Sequence, residues 1–439
     1  VKWIDGIPVF GTPDPGAVSQ IKTCAKNASW CALMADHHKG YAVPIGGVVA
    51  YANAISPSGV GYDIGCGNKA VLTDMTGEDL RTCIKPIMDD IWNTISFGIG
   101  RKNNERVDHP LFESDAWKQP AISGLKSLAE DQLGTVGSGN HYVDLFTDEQ
   151  DRVWIGVHFG SRGLGHKTAS YFLKAAGAKD GMDVEPCVLS TDMALGWDYL
   201  ECMQLAGSYA YAGRDWVCSK IAKDILNANI LDEVHNHHNY AWYENHPSEG
   251  RDRWLWVVRK GATPAASGQK GFVGGTMAEN AVILEGSYTD SDEAKFSLRS
   301  TVHGAGRVMG RMEAAGKWSK PTLRWTCRGE GCGYSVVKGG YFKEEGGPTP
   351  KCPDCGHKLR LQEHRECLRP GKVTEGMMNT WVSNAKVELR GAGLDESPDC
   401  YKRLPEVLVE QGNTVRILHT LTPVGVAMAG KNEIDPYKD

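Results

Sequence analysis

GVGYDIGCGN, residues 59–68, holds one aspartate, one cysteine and four glycines in ten positions. Asp63 and Cys66 stand three apart. Glycine lets a backbone turn tightly and pass close to a ligand, so such a turn can aim a carboxylate and a thiolate at one point. A thiolate sulfur has enough lone pairs to bridge two cations. Histidines suited to join it lie further along the chain. His141 follows Gly139–Asn140, His158 closes the apolar run VWIGVH (153–158), and VHNHHNY offers His235, His237 and His238. Imidazole is the commonest transition-metal ligand among side chains. One Asp, one Cys and three His would make a two-metal site of mixed hard and soft character, suited to Mn, Zn or Co rather than Mg. Each residue also has an ordinary reading. A free Cys is usually a small buried hydrophobe, and a His at a strand end can be a satisfied core residue. The residues alone carry the argument as far as a polynuclear metal site.

Four more glycine clusters contain polar residues: GTVGSGNH (134–141), HFGSRGLGH (158–166), KGATPAASGQKGFVGG (260–275) and HGAGRVMGR (303–311). Turns alone account poorly for five such clusters. In HGAGR a histidine precedes two glycines and an arginine, ahead of the helix-like stretch RVMGRMEAAGKW. A helix start with small residues forms an anion cradle, and Arg307 and Arg311 would add charge-assisted contacts to phosphate. His303 there can be a base, a ligand or a nucleophile toward phosphorus, or simply a helix cap. GSRG (160–163) and RKGAT (259–263) also place cations among glycines. No Walker A spacing occurs.

The elements read as mixed. Residues 77–95 place Leu80, Ile84, Ile87, Met88, Ile91 and Ile95 on one helical face, which Pro86 should kink or split. Residues 195–227 hold no proline and predict one long helix or two close ones. Apolar runs at 153–158, 254–258 and 281–285 predict strands. Without a regular βαβ alternation the expected class is α+β, a complex mixed fold and not a simple doubly wound sheet.

At 41% apolar and 23% charged, 439 residues are ample for a large core. The net charge of −6 gives no global basic footprint, so any grip on nucleic acid must be local. No apolar run approaches the roughly 20 residues that span a bilayer, and VKWIDGIPVF lacks the regions of a signal peptide. The expectation is an intracellular, cytoplasmic protein with no membrane partner. The 13 cysteines fit thiols and metal ligands better than a disulfide framework.

Four of them, Cys327, Cys332, Cys352 and Cys355, form C-x4-C-x19-C-x2-C. Two knuckles at that separation predict a structural Zn2+ ribbon, which would supply most of the folding energy of a segment with little core. The expected organisation is an inserted ribbon at 317–366 within a catalytic body of 1–316 and 367–439. Lys338, Lys343, Lys351, Lys358 and Arg360 tilt the ribbon toward RNA.

Taken in order, PIGGVVAY (44–51), GVGYDIGCGN, GSGNHY (137–142), HFGSRG (158–163), HHNY (237–240), RKGAT, GGTM (274–277), HGAGR, CYK (400–402) and PVGVAMAGK (423–431) resemble the RtcB family of RNA-splicing ligases. The match spans most of the chain outside the cysteine-rich insert. The resemblance implies joining of an RNA 3′-phosphate or 2′,3′-cyclic-phosphate end to a 5′-hydroxyl end, with GTP, two Mn2+ ions and a histidine–GMP intermediate on His303. It implies that Asp63, Cys66 and His141 hold one metal and that Cys66, His158 and His238 hold the other. His238 is preferred because HNY (238–240) matches the family pattern. By the same resemblance Asn140, Asp144, Asn239, Gly274, Gly275, Thr276, Met277, Ala281, Ala305, Gly306, Tyr401 and Lys431 would form the GTP site. Arg162 and Arg307 would hold RNA phosphates, and an archease-like activator enters as a partner.

The sequence departs from the family pattern in places. Asp144 stands where a guanine-reading Glu is usual, Ala281 where a Ser is, and Thr276 replaces a Ser. RKGATRA reads RKGATPA, with Val258 ahead of it. These changes bear on base selectivity and substrate choice. Two other readings stand beside the ligase: a metal-dependent phosphohydrolase on the same fold, and an RNA-binding adaptor built on the ribbon.

Overall fold

The computed structural model describes residues 1–248, 250–288, 291–337 and 349–430. Lys431, Lys338 and Lys343 lie outside the described residues. Two sheets organise the body. The larger runs in spatial order Ile230–His237, Gly67–Thr76, Arg152–Phe159, Tyr142–Thr147, Val415–Gly430, Ala281–Gly286 and Lys270–Val273, with Glu388–Ala392 parallel alongside Val415–Gly430. The second runs Lys2–Ile4, Ile7–Val9, Trp30–His38, Ile45–Tyr51, Trp254–Lys260 and Asn239–Asn245. Antiparallel pairing dominates both, as expected for an α+β protein. Strands form at all three predicted runs.

VWIGVH is nearly all apolar because its strand is covered on both faces. Val153, Ile155 and Val157 pack into a core with Ile87, Met88, Ile91, Val217 and Ile221. Trp154 faces the other way, toward Phe146, Phe272, Ile283 and Leu421. Burying each such side chain contributes about 1.5–3 kcal/mol.

Residues 77–95 split into helices Gly77–Thr82 and Ile84–Thr94. The break falls at Cys83, ahead of Pro86. Pro86 is the third residue of the second helix, where its missing N–H has no intrahelical partner to lose. The stretch from 195 is one helix, Ala194–Lys220, running on into a π-helical turn, Ile221–Ile225. The helix expected directly after HGAGR is absent: the next one is the five-residue Arg311–Ala315.

The cysteine-rich segment makes its own three-stranded sheet, Ser335–Val337, Thr322–Cys327 and Leu359–His364. Trp325, Cys352 and Leu359 are its buried centre, with Cys327, Cys332, Tyr334 and Val336 against them. The segment joins the body through two short paired strands, Lys317–Trp318 and Cys367–Arg369.

Candidate metal centre

The chain passes from the larger sheet to the second through a single residue, His238, between strands Ile230–His237 and Asn239–Asn245. Its N–H donates to the Cys66 carbonyl at 2.8 Å, which pins the crossing to the glycine turn at 63–67. Strand register brings the remaining groups in. His158 stands opposite both Asn68 and Tyr142, and His237 opposite Gly67.

Two clusters result, Asp63–Cys66–His141 and Cys66–His158–His238, each with its ligand atoms within 4.8 Å of one another. Cys66 belongs to both. Its Sγ is 3.6 Å from Nε2 of His141 and 3.6 Å from Nε2 of His158. Asp63 Oδ2 is 3.0 Å from His141 Nε2. The His158 and His238 rings stack at 5.0 Å. His158 Nδ1 donates to Asn68 Oδ1 at 2.5 Å, leaving Nε2 directed at the sulfur.

The electrostatics fit a cation site. Burial, then the charges of neighbouring histidines, hold His158 and His238 well below the usual imidazole range, so both offer lone pairs. Burial raises the Asp63 carboxyl, but its hydrogen bond and charge interaction with His141 outweigh this and lower it to about 2. Burial, reinforced by Asp63, pushes the Cys66 thiol well up. A cation would displace that proton, as thiolate ligation requires. Nδ1 of His141 and of His238 are buried with no hydrogen-bond partner among the described residues, and buried polar atoms without partners call for explanation. Carboxylate, thiolate and imidazole together suit a first-row transition ion.

His235 and His237 go elsewhere. They sit against Arg214, which is fully buried in the long helix. Arg214 Nε donates to His235 Nε2 at 2.9 Å, and Nη2 is 3.0 Å from His237 Nδ1. Its Nη1 donates to the carbonyls of Gly65 (2.9 Å) and Phe159 (2.5 Å). One guanidinium therefore ties together the two segments that carry Cys66 and His158.

His303 lies beside this centre, its ring 5.0 Å from that of His238. Asp36, at zero exposure, accepts from His303 Nδ1 at 2.6 Å through Oδ2. The same oxygen accepts from the backbone N–H groups of His303 (3.0 Å) and Gly304 (3.3 Å). The anion cradle expected at HGAGR is thus already occupied by the protein's own carboxylate, and no helix starts there. Gly306 has φ +78, and a Cβ on it would lie 2.3 Å from the Asp36 carbonyl, so this turn closes only with glycine.

Several candidate nucleotide residues gather near His158 and His303. A Cβ on Gly274 would lie 2.3 Å from the Tyr142 hydroxyl and one on Gly304 would lie 3.6 Å from the Gly274 carbonyl. Tyr142 stacks on His158 and packs beside Met277 and near Ala281. Asp144, two residues on and on the same face, is buried, and its Oδ1 has no partner among the described residues. Burial pushes its carboxyl well up. Thr276 donates to Glu279 at 2.8 Å. Ala305 is core. Asn140 adjoins His141, while Asn239 accepts from Gly261 N–H at 2.7 Å. Gly275 lies between Gly274 and Thr276.

The cations of these motifs have partners within the protein. Arg307 is held by Glu396, by the Tyr401 hydroxyl (2.8 Å) and by the Asp395 carbonyl (2.6 Å), and it stacks over the Tyr401 ring. Tyr401 also bonds Glu396. In RKGAT, Arg259 forms a two-pronged pair with Glu244, and Lys260 is spent on the carbonyls of Tyr41 and Ser58. Arg162 keeps an orientation toward the centre through Gly98 and Thr135. Arg311 lies over Gly139, where a Cβ would meet its guanidinium at 2.7 Å.

Sequence reasoning missed Asp36, Asn68 and Arg214. Asp36 and Asn68 left a trace: ADHH places a carboxylate at the end of an apolar strand, and Asn68 closes the GCGN motif itself. Arg214 left none: it is one of several charges in the long helix, beside Asp198, Glu201, Asp215 and Lys220.

In the ribbon the four sulfurs converge, with Cys327, Cys332, Cys352 and Cys355 forming a third cluster of ligand atoms within 4.8 Å.

Fold and site together define a mixed α+β protein with two candidate metal-ligand clusters that share Cys66, and with His303, bonded to Asp36, beside them. The chain belongs to the RtcB family: the model described as tRNA-splicing ligase RtcB matches residues 17–121 and 114–347. It is similar to the RNA-splicing ligase RtcB of Escherichia coli K12, at 27% identity over 96% of this chain and 95% of that protein. The tRNA-splicing ligases RtcB of Archaeoglobus fulgidus (28%; 78% of this chain, 87% of that one) and Thermococcus kodakarensis (30%; 66% and 75%) are also similar. No helix among the described residues is long and apolar enough to cross a membrane.

Proposed function

We propose that this chain is an RNA ligase that joins a 3′-phosphate or 2′,3′-cyclic-phosphate end to a 5′-hydroxyl end, using GTP and two Mn2+ ions, with His303 as the carrier of GMP. The observation that carries the reading is the Asp36–His303 pair. Nδ1 is bound to a buried carboxylate, so the Nε2 lone pair is free for attack, 5.0 Å ring-to-ring from His238. Relatives named as RNA- or tRNA-splicing ligases, one aligned along 96% of the chain, support it. A phosphohydrolase could use this pair as a general base, but would form no covalent GMP adduct on His303.

In the first step Nε2 attacks the α-phosphorus of GTP; the N–P bond forms and pyrophosphate leaves. The ring then carries positive charge, which the Nδ1–H to Asp36 bond stabilises. An oxygen of the RNA 3′-phosphate takes the GMP and frees His303. The 5′-hydroxyl then attacks the RNA phosphorus and GMP leaves. A cyclic phosphate is first hydrolysed to a 3′-phosphate. Ions held by Asp63, Cys66, His141, His158 and His238 would neutralise phosphate charge and activate oxygen nucleophiles. Arg162 and Arg307 would hold RNA phosphate, with Arg311, which lies over Gly139 and pairs with Glu396, beside them. The nucleotide would lie along Asn140, Tyr142, Asp144, Asn239, Gly274–Met277, Ala281, Gly306, Tyr401 and Lys431. Zn2+ on the four ribbon cysteines would serve folding. The test is incubation with α-labelled GTP and Mn2+, which should label the protein covalently. An archease-like activator should raise multiple turnover.

Base selectivity should be loose. Asp144 is one methylene shorter than Glu, and Ala281 offers no hydroxyl. A hydrogen bond contributes about 0.5–1.5 kcal/mol, so losing one or two narrows the GTP preference by about three- to tenfold each. Burial favours the protonated Asp144 carboxyl, which can donate to a base nitrogen as well as accept. Raising the pH should therefore restore preference for guanine, whose N–H groups need an anionic acceptor. ATP competition against GTP labelling across pH measures this, and a strict, pH-independent GTP preference would show that other groups read the base.

Metal identity is a separate expectation. Zn2+ binds thiolate and imidazole far more tightly than Mn2+ and prefers a closed tetrahedral shell. Zn2+ titrated against fixed Mn2+ should inhibit labelling, and mild chelation followed by Mn2+ should restore it while the ribbon keeps its zinc. Full activity with zinc in both body sites would overturn the Mn2+ assignment.

A further inference from the structure

The cysteine-rich segment is a basic island on an acidic protein. Residues 317–369 contain eleven Lys and Arg against six Asp and Glu, whereas the whole chain carries −6. The sheet sorts these charges by strand alternation. Trp325 and Leu359 turn inward to the cysteines. The opposite face carries the residues between them. Arg324 stands opposite Gln362, Thr326 opposite Arg360 and Thr322 opposite His364. Along the last strand and the residue before it, Lys358, Arg360, Gln362 and His364 alternate outward, a row about 20 Å long at ~3.3 Å per residue.

Two further features point to an anion on this face. Lys358, Arg360 and Lys351 are exposed, and none has a carboxylate partner among the described residues. Lys351 also lies directly across from Lys358 in an isolated antiparallel bridge, with Arg328 N–H bonded to the Lys358 carbonyl at 3.2 Å. Like charges directly opposite one another are destabilising, and an external polyanion would relieve the repulsion. The row is extended and polar, which suits a repeating phosphate backbone better than a single small anion.

We propose that this face, formed by Arg324, Lys351, Lys358 and Arg360, binds the sugar-phosphate backbone of the RNA substrate at a distance from the ends being joined. This rests on the RNA-ligase reading above. The interaction is electrostatic and sequence-independent, so it sets how tightly long RNA is held without touching the chemistry at His303.

The test uses the full-length, metal-loaded protein and a labelled single-stranded RNA of about 30 nucleotides. The variant is Lys351→Gln/Lys358→Gln/Arg360→Gln, whose exposed side chains make no hydrogen bond or ion pair among the described residues. The control is Lys2→Gln/Lys179→Gln/Lys223→Gln, three exposed lysines of the body. Each phosphate contact on a single strand contributes a slope of about −0.7 in log affinity against log salt. The ribbon variant should lose about two units of slope and about tenfold or more in affinity near 0.1 M salt, and the control should not. Joining of long RNA should show a raised KM with kcat kept, and joining of short oligonucleotides should be unchanged. Equal affinity and slope in variant and wild type overturn the proposal. So does loss of a co-purifying protein from the variant with RNA binding intact, since that assigns the face to a protein partner. GTP labelling is read in parallel on all three proteins. If wild type binds RNA through this face but never forms the adduct, the ligase reading fails and the RNA face stands.

Discussion

His303→Ala should abolish covalent labelling by GTP and lower RNA joining on the order of 10^4-fold or more, the scale seen when a covalent nucleophile is deleted. The fold and the metal content should survive, because among the described residues the His303 side chain bonds Asp36 alone and is not part of either ligand cluster. Asp36→Asn is the companion test. It keeps the size of the side chain but no longer fixes the imidazole with Nδ1–H toward a carboxylate, so the ring can present the wrong tautomer. An Asp→Asn change of this kind in a nucleophile–base system costs about 10^4-fold. A loss of that order with stability retained would assign Asp36 to orientation. A protein–GMP adduct that persists in His303→Ala would move the nucleophile elsewhere.

Cys66→Ala should strip both body metals at once, because the sulfur is shared by the two ligand sets. Metal counting should fall from three ions per chain to the ribbon zinc alone, and labelling should fall to background. Cys66→Ser keeps the shape, yet its hydroxyl stays protonated near neutral pH and is a poor anionic ligand, so partial occupancy at high metal is expected. By contrast, His141→Ala should weaken chiefly the site it shares with Asp63. Two fully occupied body sites in Cys66→Ala would contradict a shared ligand.

The parts of the site legible in the sequence are those whose chemistry is carried by residue type within a short motif. Asp63 and Cys66 share one glycine turn. His141 and His158 end recognisable stretches, and the four ribbon cysteines announce themselves by spacing. What stayed hidden depends on strand register and on distant pairing. Asp36 reaches His303 across 267 residues, and Arg214 meets Gly65 across 149, so no local pattern could show either. The acceptors that meet Arg259, Lys260 and Arg307, namely Glu244, Tyr41, Ser58 and Glu396, come from other elements, so the motifs themselves could not show them. The helix expected after HGAGR failed because Met309 and Gly310 do not continue the turn, and Asp36 takes the N–H groups that a helix start would have left open. For the elements, apolar runs were sufficient, since a strand buried on both faces needs little more than unbroken hydrophobicity.

Lys317 and Arg369 stand opposite each other in a two-stranded stem, so the chain leaves the body and returns to it at nearly the same point. A short turn between Trp318 and Cys367 would close the body without moving any strand of either large sheet. Descent with gain or loss of this segment therefore requires no rethreading of the core. Deleting the segment at this stem should leave the two clusters that share Cys66 untouched. The strands around that centre have no such freedom, because a one-residue slip in any of them would turn His158 or its neighbours to the opposite face.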